Sequence, residues 1–190
     1  MTLPLRHGQN CCPANLRDDL GGIMNQYPAP PPVSQDRQFD LGQHLRLSIL
    51  ISAHETGGQF DLSEVTLPGG AWTPLHLHTR YEERLWVVSG ALTVWSGPDT
   101  FTLGPGDFYA IAKNTPHTIN ASPDGARALN LTNPGKFAEL ISRTGTPAHL
   151  ATPETEWDMA LFQAVTDEFG DVILGPPGMT PAELDSTARQ

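Results

Sequence analysis

The stretch Gly70-Ala71-Trp72-Thr73-Pro74-Leu75-His76-Leu77-His78-Thr79-Arg80-Tyr81-Glu82-Glu83-Arg84-Leu85-Trp86-Val87-Val88-Ser89-Gly90 sets two closely spaced histidines beside an alternating apolar run. Residues two apart on a strand point to the same face, so His76 and His78 present two imidazoles to one point. Neutral imidazole suits Zn, Fe, Ni, Cu or Mn, at about 2.0–2.2 Å in well-formed sites. Five residues beyond His78, after a bend through Thr79-Arg80-Tyr81, a carboxylate can supply an anionic third ligand. A further histidine, His117, opens a later strand behind the turn Asn114-Thr115-Pro116.

Outward from this stretch, short apolar segments alternate with turn residues, the pattern of an all-β sandwich or barrel. Leu45, Leu47, Ile49 and Ile51 repeat every second residue, and Phe60 to Leu67 follows the turn His54-Glu55-Thr56-Gly57-Gly58. Leu85 to Val88 and Ala91 to Trp95 read as a pair of strands around Ser89-Gly90. Phe101 to Leu103, Phe108 to Ala112, His117 to Ala121 and Arg127 to Leu131 bring the expectation to roughly eight strands. After Pro134-Gly135 the period becomes helical, over Phe137 to Ser142 and again over Trp157 to Phe169. The second helix is expected to open at Thr152-Pro153 and to bury a stripe of Trp157, Ala160, Leu161, Ala164 and Val165. The expected organisation is a leader at 1–38 with a stiff proline connector, a barrel core at 39–133 and helices packed outside it at 134–178. A tail follows at 179–190, frayed despite the capping box Thr180-Pro181-Ala182-Glu183.

The chain has 190 residues, 38% of them apolar, which suits one domain with a real core. Lys and Arg number 11 against 21 Asp and Glu, a formal charge of −10, so phosphate backbones and anionic membranes are repelled over most of the surface. No apolar run approaches the ~20 residues that span a bilayer. The start MTLPLRHGQN lacks the apolar stretch of a secretory signal, and a cytoplasmic location is expected. Cys11 and Cys12 are adjacent, and a bond between them would be strained and close almost no loop, so they are read as two free thiols.

These residues resemble the cupin superfamily. Its first motif, G-x5-H-x-H-x(3,4)-E-x6-G, is met by Gly70, His76, His78, Glu83 and Gly90. Glu82 would leave seven residues before Gly90, and strand parity agrees with Glu83, which shares a face with Leu85 and Val87 while Glu82, Arg84 and Trp86 share the other. The second motif, G-x5-P-x-G-x2-H-x3-N, starts at Gly106 and keeps His117, with Ala112 for the Pro, Asn114 for the Gly and Ala121 for the Asn. Asn tolerates a left-handed backbone better than other non-glycine residues, so Asn114 can still make the turn that delivers His117. From about Leu41 to Gly178 the likeness is to small single-domain cupins of the quercetin-dioxygenase type, through Leu103-Gly104-Pro105-Gly106-Asp107-Phe108 and Pro134-Gly135-Lys136-Phe137 among others.

The resemblance implies a double-stranded β-helix, or jelly-roll, barrel. Within it His76, His78, Glu83 and His117 hold one divalent transition metal ion, whether Fe, Ni, Mn, Cu or Zn. It further implies a dioxygenase that takes O2 and a flavonol-like or other enolisable aromatic, with Glu83 as base. Because fold and metal do not fix the reaction, a redox-neutral cyclase, isomerase or lyase and a non-catalytic binding barrel stand as alternatives. A homodimer is compatible with this reading. No helix-turn-helix is visible in the leader, which holds only Leu16-Arg17-Asp18-Asp19-Leu20 before its proline run. His7, His44, His54 and His149 read as surface residues, Arg80, Glu82 and Arg84 as a solvated cluster, and Tyr81 and Tyr109 as packing residues.

Overall fold

The computed structural model describes residues 33–187 apart from 43 and 44. Cys11, Cys12, His7, the Leu16 to Leu20 segment, the proline run and His44 lie outside the described residues. The strands are β1 (Gln38–Leu41), β2 (Leu45–Ile51), β3 (Asp61–Leu67), β4 (Pro74–His78), β5 (Glu82–Ser96), β6 (Asp99–Leu103), β7 (Phe108–Ile111), β8 (His117–Asn133), β9 (Thr146–Pro147) and β10 (Asp171–Pro177). They pair antiparallel in the order β10-β4-β8-β3-β2-β1-β9, while β5 pairs with β6, β7 and β8. Alternation decides what faces inward: on β3, Asp61, Ser63, Val65 and Leu67 are buried between outward Leu62, Glu64 and Thr66. The core gathers Leu47, Val65, Leu85, Val87, Val94 and Ile119 from both halves of the sheet.

Two expected strand pairs are in fact single long strands. β5 runs through Ser89-Gly90 for 15 residues, and β8 runs through Gly125 for 17. Each bends where a glycine adopts a positive φ, +73° at Gly90 and +82° at Gly125. A side chain at Gly90 would place its Cβ 2.1 Å from the Gly125 carbonyl oxygen, so the two backbones touch at the bend. Two register shifts flank Gly90, and bulges of this kind increase the local twist. The sequence pattern of a turn therefore marks a bend where the β5–β8 ladder shifts register rather than a break between strands.

The bend curls the β5–β8 ribbon around an axis. Glu83 is the register partner of Thr132, fifteen residues along β8 from His117, a run of about 50 Å on a straight strand. Yet Glu83 Oε2 lies 3.2 Å from His117 Nε2. Among the described residues hydrogen bonds do not close the sheet into a ring, and the curl of the ribbon brings Glu83 to His117. The architecture is the expected sheet-dominated jelly roll.

Helix α1 (Phe137–Thr144) follows, with Ala138, Leu140 and Ile141 buried. Its first turn is capped from another element: the buried Asp61 carboxylate accepts from Ala138 N at 3.0 Å and from Thr132 Oγ1 at 2.5 Å. Helix α2 (Met159–Phe169) starts later than expected, because Thr152 and Thr155 close a separate turn and Asp158 caps the helix by accepting from Leu161 N. Its buried face is Phe162, Val165, Thr166 and Phe169, and only Val165 belongs to the expected stripe. Burying two phenylalanines removes more apolar surface from water than burying two alanines, so the helix turns that way. Trp157 precedes the helix and packs edge-on against Phe162. A third helix, α3 (Pro181–Thr187), stands where a frayed tail was expected, and Glu183 Oε2 accepts from Thr180 N and Oγ1. Among the described residues no helix is long and apolar enough to cross a membrane.

The contact at the bend predicts that Gly90→Ala lowers stability by about 1–3 kcal/mol or more, since the new methyl meets backbone and the residue is held at positive φ. Chemical denaturation of the variant beside the wild type measures it, and an unchanged midpoint would contradict the close approach.

Candidate metal centre

β4 carries His76 and His78 two residues apart, and their rings lie 4.8 Å centroid to centroid. On the neighbouring β8, His117 is the register partner of His76. The turn that delivers His117 depends on Asn114, whose φ of 62° is left-handed and whose N–H donates to the His78 carbonyl at 2.8 Å. Asn thus does what the family glycine does at this point. Asn120, one place before the family's Asn position, donates to the Gly70 and Ala71 carbonyls and secures the approach to β4. Glu83 reaches the three rings from β5 through the coiling of the ribbon.

The rings are oriented from behind. His76 Nδ1 contacts the Pro74 carbonyl at 2.8 Å and His117 Nδ1 the Thr115 carbonyl at 2.9 Å. A carbonyl can only accept, so each Nδ1 carries a proton and each Nε2 is turned toward the other side chains of the cluster. His78 Nδ1 faces Asp171 Oδ1 at 2.8 Å, while its Nε2 faces Glu83 Oε2 at 3.3 Å. The ligand atoms of His76, His78, Glu83 and His117 all lie within 4.8 Å of one another. Two ligand atoms about 2.1 Å from one ion, at octahedral or tetrahedral angles, stand about 3.0–3.4 Å apart, so the spacings to Glu83 fit an ion between them. Three imidazoles and a carboxylate, with no thiolate, suit a divalent transition metal. The cluster could hold one such ion.

Burial sets the electrostatics of the ion-free centre. It pushes the Glu83 carboxyl up, but hydrogen bonds from His117 and His78 outweigh it and hold the group well below the usual carboxylate range. It pushes His78 down, yet the bonds to Asp171 and Glu83 prevail and raise that imidazole to about 9. At His76, burial and the neighbouring His117 and His78 act together and hold the ring well below its ordinary value. Without an ion at neutral pH, His78 carries a proton on both ring nitrogens, one toward Asp171 and one toward Glu83.

Two further side chains, Asn130 and Asp171, take part without a local sequence motif to mark them. Asn130 Nδ2 donates to Glu83 Oε1 at 2.7 Å, leaving Oε2 for the rings. Parity could have found it, since Ala126, Ala128, Asn130 and Thr132 are the inward positions of that half of β8. Asp171 reaches His78 from 93 residues away, and nothing local marks it. Tyr81 packs, as expected, with its ring stacked on His78 and its hydroxyl donating to Asp171 Oδ2 at 2.9 Å. Tyr109 leans on Phe101. Arg84 pairs with Glu82 at the surface, Arg80 donates to the Glu168 carbonyl, and His54 and His149 are exposed and apart from the cluster.

Three of the four converging side chains, His76, His78 and Glu83, form part of the wall of a cavity of about 70 Å³. Leu41, Ile119, Phe137, Leu140, Trp157 and Phe162 supply much of the remainder, so the helices outside the barrel also shape its interior. Among the described residues neither Lys nor Arg lines it.

Residues 63–132 match the cupin domain family, so the expected resemblance to the cupin superfamily holds over that part of the chain. A stretch of 99 residues is 26% identical to quercetin 2,3-dioxygenase of Bacillus subtilis; it covers 52% of this chain and 29% of that enzyme. The chain thus spans under a third of that relative's length. Among solved structures, ectoine synthase from P. lautus superposes with a TM-score of 0.50 at 18% identity, covering 77% of this chain and 83% of that one. KdgF from Halomonas sp. gives 0.48 at 22% identity, over 52% and 86%. At these identities the structural likeness concerns the fold alone.

The geometry predicts that a His76→Ala, His117→Ala double variant loses most of its metal by elemental analysis, and full occupancy would remove the assignment. Chelation should lower the melting temperature of the wild type, by a free energy of about 2.7 kcal/mol when free metal had stood at a hundred times its dissociation constant. Because an ion would displace the proton on His78 Nε2, metal binding at neutral pH should release protons, and affinity should weaken as pH falls. Calorimetry in buffers of different ionisation enthalpy reads that proton.

Proposed function

We propose that the protein is a mononuclear metal-dependent cupin enzyme, a dioxygenase acting with O2 on a flavonol-like or other enolisable aromatic molecule. The observation that carries this reading is the convergence of three imidazoles and one carboxylate, of which His76, His78 and Glu83 face an apolar cavity that no Lys or Arg lines among the described residues. Such a wall favours a substrate whose polar atoms are gathered where the ligands are. The partial likeness to quercetin 2,3-dioxygenase supports the choice of reaction.

A divalent transition metal, when bound, supplies Lewis acidity toward a substrate's hydroxyl and carbonyl oxygens. His76, His78, His117 and Glu83 would hold it. Glu83 is the base of this reading: Asn130 Nδ2 restrains Oε1, so Oε2 is the atom that takes the proton of an acidic substrate hydroxyl. The ring of Phe162 and the aliphatic side chains around it exclude water from the site. The reading places the enzyme in the cytoplasm, with a small molecule and O2 as its partners and neither nucleic acid nor membrane, in line with the formal charge of −10.

A second reading, a redox-neutral cyclase, isomerase or lyase, draws support from the cavity's size. About 70 Å³ is well below the roughly 300–1,000 Å³ common for small-molecule pockets, which favours a compact substrate. An oxygen-electrode screen of metal-loaded protein against enolisable aromatics separates the two. O2 uptake that depends on both substrate and metal supports the dioxygenase, and equal turnover without O2 supports the redox-neutral reaction. On whichever substrate turns over, Glu83→Gln is expected to keep part of the metal while the rate falls by roughly two to four orders of magnitude. Near wild-type turnover with normal metal content would remove Glu83 as the base.

A further inference from the structure

Asp171 lies outside residues 63–132, the part of the chain that matches the cupin family. It is only 3% exposed, and both of its carboxylate oxygens are engaged, Oδ1 with His78 Nδ1 and Oδ2 with the Tyr81 hydroxyl. It opens β10, where it is the register partner of His78 on β4. Immediately before it, Gly170 ends α2 in the left-handed conformation. The Gly170 carbonyl accepts from both N and Oγ1 of Thr79, at 3.1 and 2.6 Å, and the Glu168 carbonyl accepts from Arg80 Nη1 at 2.9 Å. The carboxy-terminal end of α2 is therefore joined to the two residues that follow His78. Farther up the same helix, Phe162 and Thr166 line the cavity.

We propose that Asp171 is the positioning residue for His78, and that through it the covering helix α2 and the metal centre act as one unit. The inference rests on the reading that the four converging side chains hold a metal. The acceptors behind His76 and His117 are carbonyls two residues earlier in the chain, so the backbone orients those rings locally. His78 has instead a carboxylate from a distant element. A carboxylate on Nδ1–H fixes the tautomer, aims Nε2 at the ion and makes it a better ligand. When α2 and β10 are docked, His78 is oriented; when they are not, one ligand of four is free to turn. By linkage, the ion favours the docked arrangement as much as docking favours the ion.

Zinc titration combined with amide hydrogen exchange on the full chain tests this. In the wild type, zinc is expected to slow exchange across residues 159–171. In Asp171→Ala, zinc affinity is expected to fall by about 10–100-fold, and saturating zinc should leave exchange in that segment unchanged. Tyr81→Phe removes only the other bond to Asp171 and should keep both wild-type responses. Equal affinity and equal slowing in Asp171→Ala overturns the proposal, as does a Tyr81→Phe protein that loses as much as Asp171→Ala. Should Asp171→Ala fail to fold, nitrogen-15 histidine spectra of the zinc-loaded wild type decide the matter. His78 with its proton on Nδ1, shielded from exchange, and zinc on Nε2 supports the proposal, and zinc on Nδ1 overturns it. A wild type that takes up no ion overturns the metal reading and this proposal together, whereas a wild type that binds while Asp171→Ala binds equally overturns the proposal alone.

Discussion

The coiling of one two-stranded ribbon is the constraint on which the rest of the molecule depends. β5 and β8 pair from Glu82↔Asn133 to Ser96↔His117 with register shifts around Gly90, and in a flat sheet Glu83 and His117 would sit at opposite ends of that ladder. They meet because both strands bend together where Gly90 and Gly125 bring their backbones into contact. The wall of the cavity, the arrangement of ligands and the surface on which α1 and α2 pack all follow from that curvature. A sheet with the same residues and less twist would have an apolar face and no centre.

Within the centre, attraction and desolvation oppose each other. Burying a carboxylate and three imidazoles without partners would be costly, and the structure meets the cost by giving each group a bonded neighbour on its far side. The Nδ1 atoms face carbonyls or a carboxylate and Glu83 Oε1 faces an amide, so the remaining lone pairs point at one place. An ion there would neutralise a cluster that, without it, must hold a proton on His78. Folding and metal affinity draw on the same contacts.

Much of this was legible in the chain because the relevant rules are local. His76 and His78 share a face by strand periodicity, Glu83 rather than Glu82 faces inward by parity, and Asn114 stands where a left-handed residue is needed. Local rules also misled. Ser89-Gly90 has the composition of a turn, and only the partner backbone at Gly125 makes it a bend inside a strand. Thr152-Pro153 satisfies the usual opening of a helix, but the aromatic side chains of Phe162 and Phe169 found their burial with the helix begun at Met159. Asp171 was invisible for a different reason, since its partner is met only after the chain has folded back over 93 residues.

That separation orders events during synthesis. β4 receives β10 as a neighbour only when residues 171–177 have left the ribosome, long after the long ribbon is available to pair. Until then the edge of β4 that bears His76 and His78 has no strand beside it on that side, and such pairings between distant segments form slowly because a large loop must close first. A nascent chain therefore displays two histidines on an open edge before it possesses the carboxylate that steadies one of them. On the proposed role of Asp171, an ion met by the growing chain would be held less firmly than one met after residues 171–177 have paired with β4.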